Sequence, residues 1–154
     1  MITPEEIQRN FPKLVQWIAQ RQKICMEIGE RLSFEATRDA QTIGIGQIDE
    51  VRIMVEGEIS LPTDPGLLQL FLKSGLGAIN GITCGHGIFV RPDAYSRHLI
   101  THELVHVLQY ERFGGIEPYL KAYVPEIVSP PYYPNGPLEQ EARRVADALC
   151  AGLS

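Results

Sequence analysis

Apolar positions in the first thirty residues recur at helical spacing: Phe11, Leu14, Val15 and Ile18, then Ile24 and Ile28. Thr3-Pro4-Glu5-Glu6 precedes them with a capping hydroxyl, a proline suited to the first helical turn and a glutamate three residues after the cap. A helix is therefore predicted from there to about Leu32. Between Glu50 and Glu56 the period falls to two, with Val51, Ile53 and Val55 alternating with Arg52, Met54 and Glu56, the pattern of a strand with one buried face. Thr42 to Ile45 reads as a shorter strand before it. Asp64-Pro65-Gly66 opens a short apolar helix, Leu67 to about Lys73, which Gly75 and Gly77 bring to a stop. Two further strands, around Ile82-Thr83-Cys84 and Ile88-Phe89-Val90, flank the turn-forming Gly85-His86-Gly87.

From Ala94 to Arg112 neither proline nor glycine interrupts the chain, and Gly114-Gly115 supplies the stop. Leu99, Ile100, Leu104, Val105, Val107 and Leu108 occupy most of this helix's circumference, which predicts a central helix covered on several sides. Glu117 to about Tyr123 reads as another helix, Ser129 to Pro137 as a proline-rich loop, and Leu138 to Leu149 as a last helix with Leu138, Ala142, Val145 and Leu149 on one face. The expected fold class is α+β: a small sheet packed on the central helix, with helices before and after. At 154 residues the chain suits one domain spanning 1–154, with an N-terminal helical segment (1–33) and a core (50–154).

Composition narrows the function classes. With 44% hydrophobic and 21% charged residues the chain is globular in character, not disordered. A formal charge of -5, with no basic patch to offset it, argues against nucleic acid as a partner. No apolar run approaches the ~18 residues that span a bilayer, and MITPEEIQRN lacks the basic and apolar regions of a leader, so a soluble cytoplasmic protein away from membranes is expected. Cys25, Cys84 and Cys150 are odd in number and unpatterned in spacing, as suits reduced thiols.

The candidate chemistry lies on the central helix, where His102-Glu103-Leu104-Val105-His106 has the HExxH pattern. Residues four apart share a helix face, so two imidazoles can meet one tetrahedral ion while Glu103 lies beside them, placed to take a proton from a metal-bound water. The chain's own residue frequencies produce this pattern by chance in roughly one such chain in a hundred. A catalytic zinc needs a third protein ligand. The extended form HExxHxxGxxH is absent, because Gln109 and Arg112 stand at its glycine and third histidine. That leaves a carboxylate on a later helix, and Glu139 and Glu141, about 200° apart around the last helix, both qualify on geometry.

The stretch His102-Glu103-Leu104-Val105-His106-Val107-Leu108-Gln109, followed by Leu138-Glu139-Gln140-Glu141-Ala142, resembles the gluzincin-type metallopeptidases, and in particular small bacterial domains carrying HELxHVxQ and a later Glu-Ala segment. The resemblance covers roughly residues 50–147 and leaves the N-terminal helix unexplained. It implies a zincin-like domain in which His102, His106 and Glu141 hold zinc, Glu103 is the general base and a peptide or protein is the substrate. Glu141 is preferred because the family's ligand is typically followed by alanine; Glu139 then becomes a first-turn carboxylate favoured by the helix dipole. Unlike the larger gluzincins, the chain has Val145 four residues after Glu141, with Asp147 as a substitute outer partner or a surface charge.

Other residues complete the expectations. His98, one turn before His102, lies too far along the axis to share a small ion with His106, so a supporting or exposed role is expected. His86 is a turn residue or an aid to substrate binding. Tyr133 is favoured as hydrogen-bond donor to a developing oxyanion, over Tyr110, Tyr119, Tyr123 and Tyr132. If the Gly85 to Val90 strand is a sheet edge, it offers an extended peptide a place to pair. Two rival readings are a non-catalytic zinc-binding interaction module and a metal-free scaffold whose histidines only make hydrogen bonds. A further expectation is that the N-terminal helix or the Pro130-Pro131 loop covers the cleft.

Overall fold

The computed structural model describes residues 1–151, so residues 152–154 of the expected domain lie outside the described residues. Helix α1 (Pro4–Ile28) begins where the capping pattern predicts, with Thr3 Oγ1 accepting a hydrogen bond from the Glu6 amide at 3.1 Å. It ends four residues before Leu32: the chain turns extended at Gly29 and enters strand β1 (Glu30–Arg31). Helix α2 (Phe34–Ile43) is the element that periodicity missed. Ser33 caps its start and Gly44, with φ of 102°, its end, so Thr42 to Ile45 is helix end and turn instead of the expected strand. The Thr42 hydroxyl bonds back to the Arg38 carbonyl, which satisfies a β-branched residue inside a helix.

Strand β2 (Arg52–Val55), helix α3 (Pro65–Lys73), strands β3 (Gly81–Cys84) and β4 (Gly87–Val90), and helices α4 (Arg97–Phe113), α5 (Ile116–Val128) and α6 (Pro137–Ala151) follow. The sheet is mixed, in the order β1-β2-β4-β3, with β2 and β4 parallel and the outer pairs antiparallel. Six helices and this four-stranded sheet make the fold α+β, as expected. Gly85-His86 closes the β3–β4 hairpin, and Gly85 is irreplaceable twice over: its φ is +65°, and a Cβ there would stand 2.0 Å from Gln22 Oε1, which accepts the His86 amide. Because β4 lies between β2 and β3 and all four of its residues are buried, it is no sheet edge; β3 is the edge on that side, and the Tyr110 hydroxyl donates to its Thr83 carbonyl.

Two apolar clusters hold these layers together. One fills the space between the sheet, α2 and α4 with Ala40, Val51, Ile88, Val90, Leu104 and Val107. Across α4 the Arg97 guanidinium makes a paired salt bridge to the buried Asp39 of α2, at 2.8 and 2.9 Å. The second cluster joins α1, α3 and α5 through Leu14, Ile18, Phe71, Leu120 and Val124. The N-terminal helix is therefore part of the core, not an appendage to it. Among the described residues no helix is long and apolar enough to cross a membrane.

Candidate metal centre

Helix α4 is central, as its apolar circumference predicts: Ser96 caps its start, Gly114 ends it with φ of 92°, and nine of its residues are buried. Its polar residues cluster on the side facing α5 and α6. His102 and His106 lie one turn apart, and their Nε2 atoms approach to 3.3 Å. The carboxylate of Glu139, at the start of α6, reaches both: Oε1 is 3.0 Å from His102 Nε2 and Oε2 is 3.2 Å from His106 Nε2. Glu103 lies beside the imidazoles, and ligand atoms of His102, Glu103 and His106 fall within 4.8 Å of one another. Glu103 is nevertheless engaged elsewhere, since the Thr83 hydroxyl donates to its Oε1 at 2.8 Å, and among the described residues only Glu139 touches both imidazole nitrogens.

This donor set fits a metal ion. Two nitrogens each about 2.0–2.1 Å from a shared tetrahedral zinc stand roughly 3.3 Å apart. The two Nε2 atoms have that separation, and the Glu139 oxygens lie at comparable distances from them. Glu141, the expected third ligand, points away: its carboxylate is clasped by Arg112 and accepts from Gln109 Nε2 at 2.8 Å. This arrangement follows from the face that α6 buries. Leu138, Glu139, Ala142 and Ala146 line it, so the buried stripe is rotated toward Glu139 from the Leu138-Ala142-Val145-Leu149 stripe that the apolar pattern picks out. The small side chains of Ala142 and Ala146 let α6 come close to α4 along the same line as Glu139.

Electrostatics reinforce the grouping. Burial alone would lower the His106 pKa, but the adjacent Glu139 charge and its hydrogen bond outweigh it and raise the imidazole to about 9. Burial acts against ionisation of Glu139, yet the two histidines hold its carboxyl far below the usual carboxylate range. Burial pushes the Glu103 carboxyl up, as does the Glu139 charge, while the two imidazoles and Thr83 oppose the rise.

The supporting residues are mostly ones that sequence reasoning passed over. Tyr123 donates to Glu139 Oε2 at 2.8 Å, and Gln109 Oε1 stands 2.8 Å from His106 Nδ1. Gly81 on β3 lets the strand approach Glu103, since a Cβ there would sit 3.4 Å from the Glu103 carboxyl carbon. A cavity of about 80 Å³ is lined by His102, Glu103, His106 and Glu139 together with apolar residues of α1, α3 and α5 that include Leu14, Ile18, Phe71 and Val124. Among the described residues no lysine or arginine lines it. Four tyrosines do; three have their hydroxyls within hydrogen-bonding distance of Thr83, His106 or Glu139, while Tyr133 makes no such bond among the described residues.

Two histidines lie outside the site. His86 pairs with Glu111 at 2.9 Å toward the far end of α4, where Glu111 also accepts the Gly46 and Gln47 amides. It ties the β3–β4 turn to α4. His98 pairs with Asp147 at 2.7 Å on the exposed surface. No family model matches the chain, and neither a curated protein nor a solved structure matches it.

Proposed function

We propose that this chain is a zinc-dependent peptidase. The observation that carries the reading is the grouping of His102 Nε2 and His106 Nε2, 3.3 Å apart, each with a Glu139 oxygen within 3.0–3.2 Å and with Glu103 alongside, in the wall of a largely apolar cavity. When bound there, zinc would lower the pKa of a water in its open position and polarise a carbonyl oxygen. Glu103, steadied by Thr83, accepts the proton of the attacking water and returns it to the departing nitrogen. Tyr133, which lines the cavity and whose hydroxyl makes no hydrogen bond among the described residues, is the candidate donor to the developing oxyanion.

The cavity supports a substrate that brings an uncharged, apolar side chain next to the scissile bond. With no lysine or arginine among the described residues of its wall, it has no side chain of the kind that grips a terminal carboxylate through a long flexible cation. A reducing compartment such as the cytoplasm suits the three free thiols, two of them buried. The small volume of the cavity favours one alternative, a zinc-binding interaction module that performs no chemistry.

Replacing Glu103 with Gln separates the two readings. The peptidase reading expects the variant to keep zinc and lose turnover of unfolded protein or peptide libraries by about 10²–10⁴-fold. Full activity in the variant would sink the mechanism. Zinc bound by the native protein with no hydrolysis of any library would favour the interaction module.

A further inference from the structure

Gln109, Arg112 and Glu141 have no part in the reading above, yet all three are tied to His106 through one chain of hydrogen bonds. Gln109 is fully buried. Its amide nitrogen donates to the Leu138 carbonyl at 3.0 Å and to Glu141 Oε1 at 2.8 Å. Both partners accept only, so they use both amide protons and fix which end of the side chain carries oxygen. That oxygen is the group 2.8 Å from His106 Nδ1, and it has no proton to give. His106 must therefore donate from Nδ1. Nε2, the atom directed at His102 and Glu139, is then the nitrogen whose proton a metal ion displaces, and its lone pair is the one offered. Glu141 is held in turn by a two-pronged contact from the Arg112 guanidinium.

We infer that Arg112, Glu141 and Gln109 form a tautomer clamp that fixes the His106 ring with Nδ1 protonated and Nε2 offered to a metal ion. The inference rests on the zinc-binding part of the proposed function and adds three positioning residues to it. The Glu141 carboxylate thus serves the metal centre at one remove, through an amide, and not as a ligand. The two carboxylates of α6 divide the work: Glu139 faces the imidazole Nε2 atoms, and Glu141 orients the amide behind one of them. Their spacing places them on different flanks of one helix turn, so a single helix supplies both.

The test uses the full chain and zinc ion alone, with affinity measured by competition against a chelator of known strength. It is paired with nuclear magnetic resonance of the His106 Nδ1 proton in the metal-free protein. Gln109→Leu, which keeps the volume and removes the amide, is expected to weaken zinc binding by about 10–100-fold and to lose the protected Nδ1 proton. Glu141→Ala should fall between this variant and wild type. Glu141→Gln, which keeps an acceptor oxygen, should return to within about threefold of wild type. If Gln109→Leu fails to fold, the two Glu141 variants, altered at a partly exposed position, carry the comparison. Unchanged affinity in Gln109→Leu or in Glu141→Ala, with the Nδ1 proton still protected, would overturn the clamp. A wild-type protein that takes up no zinc would overturn the metal reading instead, and the proton signal would then decide separately whether the hydrogen-bond chain exists.

Discussion

The two faces of helix α4 are built on opposite principles. Ile100, Leu104 and Val107 face the sheet and α2, in a cluster that is aliphatic throughout. The face toward α5 and α6 buries Glu103, His106 and Gln109 against Thr83, Tyr123 and Glu139. An aliphatic face asks only for matching volume, and many side-chain combinations meet that demand. A buried polar face asks for a partner at every donor and acceptor, because each orphaned group costs about 1–3 kcal/mol. One arrangement satisfies it, so the polar face specifies atoms where the aliphatic face specifies shape. A folding core would gain nothing from this concentration of imidazole and carboxylate, which is why it reads as a site.

That contrast can be broken most forcefully on the aliphatic side. Leu104 is fully buried, so Leu104→Ala should cost about 2–5 kcal/mol of unfolding free energy in urea titrations while leaving zinc affinity near that of wild type. Loss of zinc binding in a folded Leu104→Ala protein would show that the two faces do not act separately.

A subtler test sharpens the polar side through pH. The His106 pKa is raised from 6.5 to about 9, so its contribution to the stability of the metal-free protein is fully present below about 6.5 and is lost as pH rises through about 9. Glu139 is depressed from 4.5, so its contribution is present above that value and is lost as pH falls into the acid range. Metal-free stability from this pair should therefore be greatest between about pH 4.5 and 6.5. Zinc replaces the proton, so the difference in melting temperature between zinc-loaded and chelator-treated protein should widen from pH 6.5 toward 9. A gap that stays flat across that interval would disconnect the imidazole–carboxylate pair from metal uptake.

The elements with local chemical signatures were legible from the residues. Thr3-Pro4, Asp64-Pro65 and the Gly85 turn announce their helices and hairpin, because caps and positive φ depend on a few neighbouring atoms. The His102–Glu103–His106 spacing announced its shared face for the same reason. Helix α2 was hidden because Thr42 and Ile43 favour strands by propensity, and the packing of Ala36 and Ala40 against α4 overrides that preference. The choice between Glu139 and Glu141 was hidden more deeply. It depends on which way α6 is rotated against α4, and that is set by Ala142 and Ala146, whose small size is read by the neighbouring helix and not by the sequence pattern. Gln109 and Arg112 appeared in sequence only as departures from a longer motif, whereas in the fold they are the groups that hold Glu141.

The central claim is that His102, His106 and Glu139 hold one metal ion, and elemental analysis of the purified protein tests it most directly beside the double variant His102→Ala with His106→Ala. The account predicts one zinc per wild-type chain and none in the variant. Wild-type protein that stays metal-free after incubation with excess zinc, or a double variant that retains the same metal, would contradict it.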